Sequence, residues 1–256
     1  MSICVISQPR YLPACNYLHR MSLANTFIYL DTVQYSPKFW ENRNKIKTKN
    51  GPVWLSVPVI RTSREMLIKD TVIDNSQPWQ RKHWESIRQT YRHAPYFKLH
   101  ADFFGDLYSR RFEYLSELNH QIICYLIKQL DLRCEFRWAH EFNLDSRGPR
   151  LLIELCERVG GTVYLSGPAG REYIDAREFD GAGIAPLFHD YQHPEYPQLD
   201  GDFLPFMGGI DLLFNCGEES AKVLRSGNVS RDDVIESARR SSGTVCNRDA
   251  SLGEGS

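Results

Sequence analysis

The chain has 256 residues and a formal net charge of -1, so no global electrostatic field favours nucleic acid or membrane surfaces as partners. No stretch approaches the roughly 18 apolar residues of a membrane span, and the N-terminus lacks a charged segment followed by a long apolar run. The 7 cysteines are scattered without a C-x-x-C pair, which favours reduced thiols, a cytoplasmic protein and no metal centre.

The first predicted unit is a strand, a turn, a short amphipathic stretch and a second strand. The strands lie at residues 3–6 and 27–30, and the turn at residues 8–13 follows the first of them. Asp31 ends the second strand, and a basic segment at residues 36–49 comes next. In open α/β sheets, ligands bind at the edge where the strands end. The N-terminal third is therefore the predicted location of the site.

Further elements are predicted from hydrophobic periodicity and turn residues. They are a strand at residues 53–59, helices at 79–91, 112–130 and 150–159, and a strand at 162–165. Strands that alternate with helices are typical of a parallel sheet. The predicted fold is therefore α/β with a mostly parallel sheet.

The predicted domain organisation has four parts. Residues 1–78 form an N-terminal α/β unit with the basic segment, and residues 79–149 form a helical insertion. Residues 150–225 form a second α/β part that completes the sheet. Residues 226–256 are a polar tail, which we expect to be disordered from about residue 241.

A series of short motifs runs along residues 3–217. They are Gln8-Pro9-x-Tyr11-Leu12-Pro13, Asp31-x-Val33-Gln34-Tyr35, Asn42-Arg43-Asn44-Lys45-Ile46-Lys47, Trp54-Leu55-x-Val57-Pro58-Val59, Lys82-His83-x-x-Ser86-Ile87, Ala94-Pro95-Tyr96-Phe97, Tyr164-Leu165-Ser166-Gly167, Tyr196-Pro197-Gln198 and Asp211-Leu212-Leu213-Phe214-Asn215. In this combination and order the chain resembles the WbqC-like protein family. Two positions depart from the family pattern: Ser7 stands where members usually carry His, and Ala14 where they usually carry an aromatic residue.

The resemblance implies attachment of an amino acid such as glycine to an amino group on a sugar or similar scaffold, in glycan or natural-product biosynthesis. The Gln-Pro turn, the end of the second strand and the basic stretch are also similar to the ATP-binding half of pantothenate synthetase. That likeness implies a nucleotidyltransferase-like N-terminal half that activates a carboxylate as an adenylate, with ATP and magnesium. We therefore predict an amide-forming aminoacyl transferase or ligase. Two alternatives stay open: an enzyme whose donor is aminoacyl-tRNA, and a non-catalytic protein that binds a sugar nucleotide or polysaccharide precursor.

Three residues are candidates for catalysis. His83 has the side chain expected of a base that deprotonates an amine, and Lys82 stands beside it. Asp31 ends an apolar strand, where a carboxylate is costly unless it is paired or functional. A packing role for His83, and an ion pair of Asp31 with Arg43, are the structural alternatives.

The candidate binding residues share amide, cationic or small side chains near predicted strand ends. Clustered cations suit phosphate or carboxylate groups, although a solvated basic hairpin explains the same run. The small-residue turn after residue 165 lets backbone amides approach a ligand. Asp211 and Asn215 are four residues apart and share one face if this segment is helical, where they either cap an element or line the site. The full set is Gln8, Tyr11, Gln34, Asn42, Arg43, Lys45, Lys47, Ser166, Gly167, Gly170, Arg171, Asp211 and Asn215.

Overall fold

A computed structural model describes residues 1–61, 63–227 and 229–249 of the chain, with side chains up to residue 241. In chain order the strands and α-helices are β1 (Ile3–Ser7), α1 (Cys15–Leu23), β2 (Thr26–Tyr29), β3 (Arg43–Thr48), β4 (Gly51–Ser56), β5 (Val59–Ile60), β6 (Val72–Ile73), α2 (Trp79–Tyr91), α3 (Phe97–Ser109), α4 (Leu115–Gln129), β7 (Glu135–Trp138), α5 (Gly148–Arg158), β8 (Val163–Ser166), α6 (Ala176–Asp180), β9 (Ala185–Phe188), α7 (Gly209–Cys216), α8 (Ser220–Arg225) and α9 (Arg231–Asp249). Short 3-10 helices occur at Ile68–Asp70, Ala139–Phe142, Pro168–Glu172 and Gly217–Glu219.

Five strands form one parallel sheet in the order β7-β2-β1-β8-β9, so the first strand of the chain lies at its centre. Cys4 pairs with Thr26 on one side of β1, and Ile3 pairs with Val163 on the other. Strands β1, β2 and β8 are buried along their whole length, which is why their sequences are largely continuous apolar runs. The predicted α/β class with a parallel sheet is confirmed. The architecture is consistent with the nucleotidyltransferase-like fold that the resemblance implies.

The connections between the strands cover both faces of the sheet. Helix α1, between β1 and β2, buries Tyr17 in the same cluster as Phe27. Helices α5 and α6, before and after β8, bury Leu152 and Phe179 in a second cluster on the opposite face. The chain therefore leaves the adjacent ends of β1 and β8 in opposite directions, and this opens a crevice between them.

The predicted insertion at residues 79–149 contains α2, α3 and α4. Periodicity predicts α2 and α4 but does not reveal α3. The sheet resumes at Glu135 in β7, not near residue 150, so the predicted end of the insertion is corrected. β7 is an edge strand of four residues that alternates charged and aromatic side chains. It is too short to show a period of its own.

Two antiparallel hairpins lie outside the parallel sheet, β3 with β4 and β5 with β6. The strand predicted at residues 53–59 is divided, because β4 ends at Ser56 and β5 begins at Val59. Pro58 lies between them and has no N–H to donate to a ladder. The basic segment is therefore a hairpin beside the sheet.

The C-terminal part of the chain packs back onto the core. Val234 and Ala238 of α9 are buried, and Arg231 donates to the carbonyl oxygen of Leu23 at 3.1 Å. Helix α9 continues to Asp249, so it enters the segment where disorder is expected, and residues 250–256 lie outside the described residues. No helix of the described chain is long and apolar enough to cross a membrane.

Candidate functional site

Two strand ends meet at Asp31 and His140. Asp31 follows β2 and His140 follows β7, and because these strands are parallel neighbours their carboxyl ends lie side by side. His140 Nδ1 donates to Asp31 Oδ2 at 2.5 Å, and the backbone N–H of His140 donates to Asp31 Oδ1 at 3.2 Å. The Asp31 side chain is 1% exposed, whereas that of His140 is 46% exposed. The buried carboxylate therefore orients an accessible imidazole with Nδ1 protonated and Nε2 as the acceptor.

Two clefts share His140 and Lys69 in their walls. The first has a volume of about 720 Å³ and a polar wall that includes Glu65 and Asp145. The second has a volume of about 530 Å³, and Trp138 forms part of its wall. The two clefts allow two different molecules to approach the same imidazole.

The residues around this imidazole are held by the fold. The backbone N–H of Lys69 donates to the carbonyl oxygen of Asp31 at 3.0 Å, which places Lys69 beside the pair. The ring of Trp138 lies 5.9 Å from that of His140 and 5.4 Å from that of His120, centroid to centroid. Burial lowers the pKa of His120, so this second imidazole is neutral at physiological pH.

A second cluster, which we call the arginine pair, consists of Arg10 and Arg20 at the crevice between β1 and β8. Arg20, on α1, is 7% exposed and its Nη2 donates to Ser7 Oγ at 3.4 Å. A Cβ on Gly167 would lie 2.4 Å from Arg20 Nη1, so any larger residue there would force this guanidinium to move. Burial lowers the pKa of Arg20 to about 10, and the charge of Arg10 adds to the effect.

Glu41 is an acidic neighbour of the arginine pair. This residue is 1% exposed, and burial raises its pKa to about 7. The charge of Glu41 raises the pKa of Arg10, which burial lowers more strongly. No ion pair joins either guanidinium to a carboxylate within the described chain. Three buried atoms, Arg10 Nε, Arg20 Nε and Glu41 Oε2, have no hydrogen-bond partner in it.

Several predicted residues do lie at the sheet edge. Gln8 follows β1, and its carbonyl oxygen accepts a hydrogen bond from the Tyr17 hydroxyl at 3.1 Å. Ser166 ends β8, and a Cβ on Gly170 would lie 2.2 Å from its Oγ, so the turn after β8 is closely packed. Arg171 is exposed and forms an ion pair with Asp190 at 2.7 Å.

His83 and Lys82 lie elsewhere, on α2. His83 Nδ1 is 2.8 Å from the hydroxyl of Tyr11, which is 2.5 Å from that of Tyr108. His83 is buried among these rings and Trp79, and burial lowers its pKa to about 4. Lys82 is exposed beside it. None of the described contacts of His83 reaches Asp31, so the structure separates two of the predicted catalytic residues.

The predicted basic residues hold the β3–β4 hairpin together. Arg43 Cζ and Lys45 Nζ lie 4.2 and 4.9 Å from the ring centroid of Trp54. Asn42 Nδ2 donates to the carbonyl oxygen of Val57 at 2.9 Å. Asp31 pairs with His140, so the alternative ion pair of Asp31 with Arg43 is wrong.

The remaining predicted residues mostly form a buried network. Asp211 accepts hydrogen bonds from the hydroxyls of Tyr91 and Tyr196 at 2.8 and 2.9 Å. Asn215 Nδ2 donates to the carbonyl oxygen of Asp211 at 2.7 Å, and the buried Lys47 Nζ donates to that of Leu199 at 2.9 Å. These contacts join the hairpin, α2 and α7. Gln34, in contrast, lines the first cleft and donates to the carbonyl oxygen of Arg64.

His140, Lys69 and the arginine pair are not among the residues predicted from the sequence. His140 belongs to a strand end that periodicity does not reveal. Arg20 offered a signal, because it lies within the amphipathic stretch that follows the Gln-Pro turn. In the structure all but two residues of this helix are buried.

Comparison with known proteins agrees with the motifs. The chain matches the profile of the WbqC-like protein family over residues 8–223. It is 33% identical to the uncharacterized protein Rv1507c of Mycobacterium tuberculosis over 223 residues, which are 86% of this chain and 96% of that relative. No solved structure matches it. The protein therefore belongs to the WbqC-like protein family.

Proposed function

We propose that this member of the WbqC-like family is an amide-forming enzyme that transfers an aminoacyl group, such as glycyl, to an amino sugar or another small amine. The reaction belongs to glycan or natural-product biosynthesis. The observation that carries the proposal is the Asp31–His140 pair, whose imidazole lies between two clefts. An oriented imidazole beside two binding spaces is the arrangement that amine acylation needs.

The proposed step begins when the amine nitrogen attacks the carbonyl carbon of the activated aminoacyl donor. His140 Nε2 takes the proton from the nitrogen as the N–C bond forms, and the leaving group departs with the electrons of the broken C–O bond. Asp31 keeps the imidazole in the correct tautomer and stabilises the imidazolium that forms, as buried carboxylates do beside catalytic histidines. The ammonium of Lys69 stabilises the negative charge that develops on the carbonyl oxygen.

In this proposal His140 takes the role that the sequence assigned to His83. The imidazole of His83 is buried and its Nδ1 is engaged by Tyr11. Its pKa is lowered to about 4, which makes it a weak base. Burial and low basicity therefore argue against His83, and the exposure of the His140 ring favours His140.

For the donor we propose an acyl adenylate, which would form when the carboxylate of the amino acid attacks the α-phosphate of ATP and displaces pyrophosphate, in the presence of magnesium. Within the described chain no three His, Cys, Asp or Glu side chains converge on a metal site. Magnesium bound through nucleotide phosphates needs only one or two protein carboxylates. A site without three converging ligands is therefore compatible with magnesium that binds together with ATP. The unpaired cations of the arginine pair suit the phosphates. The free thiols of the described cysteines support a cytoplasmic location.

The proposal is tested by incubating the protein with ATP, magnesium, glycine and a panel of amino sugars. Mass spectrometry should detect the sum of the two substrates minus water. His140→Gln should lower turnover by about 10²–10⁴ while substrate binding is retained. His93→Gln, at an exposed position in the turn after α2, is the matched control and should behave like the wild type. If the protein binds these ligands but forms no amide with either ATP or an aminoacyl-tRNA as the source of the donor, the proposal is wrong and the protein is a non-catalytic binding protein.

One observation favours a second donor, aminoacyl-tRNA. Trp54 is 41% exposed on the β3–β4 hairpin, and Arg43 and Lys45 lie against its ring. Exposed aromatic rings flanked by cations are typical of surfaces that stack single-stranded nucleic acid. On this reading Trp54→Ala weakens tRNA binding by about 5-fold or more, and the control Tyr173→Ala, another exposed aromatic residue, leaves it unchanged. Filter binding at two salt concentrations would measure both effects.

A further inference from the structure

The two positive charges of the arginine pair, at the crevice between β1 and β8, have no carboxylate partner in the described chain. Arg20 is 7% exposed, and its guanidinium packs between Ser7 Oγ and the backbone of Gly167. The Nε atoms of Arg10 and Arg20 are both buried and lack a hydrogen-bond partner in the described chain. The Arg10 guanidinium is half-buried and lies 5.3 Å from the ring centroid of Tyr17. A guanidinium withdrawn from water without an anionic partner is costly. Two such cations near the end of β1 therefore indicate an anion that binds there.

The arginine pair lies at the edge of the sheet where α/β proteins bind their ligands. β1 and β8 are adjacent parallel strands whose connections run to opposite faces of the sheet. The crevice outside the carboxyl ends of such strands is where open α/β sheets bind their ligands. Arg10 lies three residues after β1, and Gly167 directly follows β8. The topology and the unpaired charges therefore indicate the same place.

We propose that Arg10 and Arg20 form a binding site for the phosphate groups of a nucleotide. A phosphate offers several strong acceptor oxygens and up to two negative charges, which matches two guanidinium groups better than a single carboxylate does. Glu41 adds a proton-dependent contact. Its Oε2 is buried and unpartnered, so in its protonated form it can donate to a phosphate oxygen.

This inference deepens the proposed function, because the nucleotide would be either the ATP that activates the amino acid or a sugar nucleotide that carries the amine. Phosphate binding itself does not depend on catalysis by His140. His140→Gln should bind phosphate like the wild type. Wild-type protein that binds phosphate but forms no amide would therefore count against the proposed function and not against this site.

The test is calorimetric titration with inorganic pyrophosphate, ATP and a uridine diphosphate sugar, in buffer with magnesium. Wild-type protein should bind pyrophosphate and at least one nucleotide. Whichever of ATP and the uridine diphosphate sugar binds more tightly identifies the source of the phosphate. Arg10→Met and Arg20→Met should each weaken pyrophosphate binding by about 10–100-fold, the loss of one charge-assisted contact. Arg133→Met, an exposed arginine paired with Asp131, is the matched control and should change nothing.

Thermal melting of the unliganded variants separates a ligand site from a structural role. Arg20→Met removes a buried charge that has no carboxylate partner in the described chain and keeps most of the packing volume, so the melting temperature should equal or exceed that of the wild type. A lower melting temperature with unchanged pyrophosphate affinity would overturn the proposal. So would folded wild-type protein that binds glycine or acetate but neither pyrophosphate nor nucleotide.

Discussion

Asp31 accepts two hydrogen bonds from one residue, His140, through Nδ1 at 2.5 Å and the backbone N–H at 3.2 Å. The two donors reach different oxygens of the same carboxylate. This double contact fixes both the backbone and the ring of His140 relative to β2. It explains how an imidazole on a short 3-10 helix after an edge strand can be held in one orientation.

The first prediction concerns this contact. Asp31→Asn keeps the size of the side chain but removes its charge, and an amide that donates to Nδ1 favours the wrong imidazole tautomer. Turnover should fall by about 10²–10⁴ with substrate binding retained. The rate of amide formation across pH 6–9 is the measurement, with Asp106→Asn on exposed α3 as the control. Equal rates in Asp31→Asn and wild type would exclude the pair from the mechanism.

The second prediction concerns stability in acid. Burial lowers the pKa values of His19 and His83 to about 4 and that of His189 to about 3. Each is neutral in the folded state and gains its proton more readily when unfolded. Their stabilising contribution is therefore complete above pH 6.5 and is lost as the pH falls towards 4. We expect each to lower the free energy of unfolding by about 1–2 kcal/mol between pH 7 and pH 5.

Urea unfolding at pH 7 and pH 5 measures this effect. His83→Phe should reduce the difference between the two pH values, because the titrating group is gone, even though stability at pH 7 falls with the loss of the contact to Tyr11. The exposed His93→Phe serves as control. An unchanged difference in His83→Phe would show that other groups cause the acid sensitivity.

The third prediction concerns Gly167. Its φ is -73°, so alanine is accommodated by the backbone, but the added Cβ would lie 2.4 Å from Arg20 Nη1. The guanidinium must move, and pyrophosphate affinity should fall about 10-fold or more, as expected for one lost charge-assisted hydrogen bond. At Gly181 a Cβ would meet its nearest neighbour at 3.4 Å, so Gly181→Ala is the matched control. Equal affinities in both variants would contradict the assigned position of Arg20.

The fourth prediction assigns Asp211 to stability. Its buried carboxylate accepts hydrogen bonds from Tyr91, Tyr196 and Gln198, and burial raises its pKa. Asp211→Ala leaves these donors unpaired and should lower the free energy of unfolding by about 3 kcal/mol or more. Asp106→Ala removes only an exposed ion pair and should cost less than about 1 kcal/mol. A stable Asp211→Ala variant that cannot bind substrate would instead place this residue in the site.

Local sequence patterns were sufficient for much of the fold. The continuous apolar runs of β1, β2 and β8 predicted buried parallel strands, and the periodicity of α2, α4 and α5 predicted amphipathic helices. These patterns depend on neighbours within a few residues, and burial imposes the same period in most folds. The ordered motifs were likewise sufficient to assign the family.

The tertiary structure decided which polar residues meet. Asp31 and His140 are 109 positions apart, and Tyr11 and His83 are 72 apart, so no local period relates them. The sequence identified Asp31 as a carboxylate that needs a partner, but the pairing of β7 with β2 determined that this partner is His140. The packing of α1 against the sheet brought Arg20 to Gly167, and the closure of α2 over Tyr11 buried His83. Side-chain chemistry can be read from the chain, whereas burial and partnership arise only when distant segments pack together.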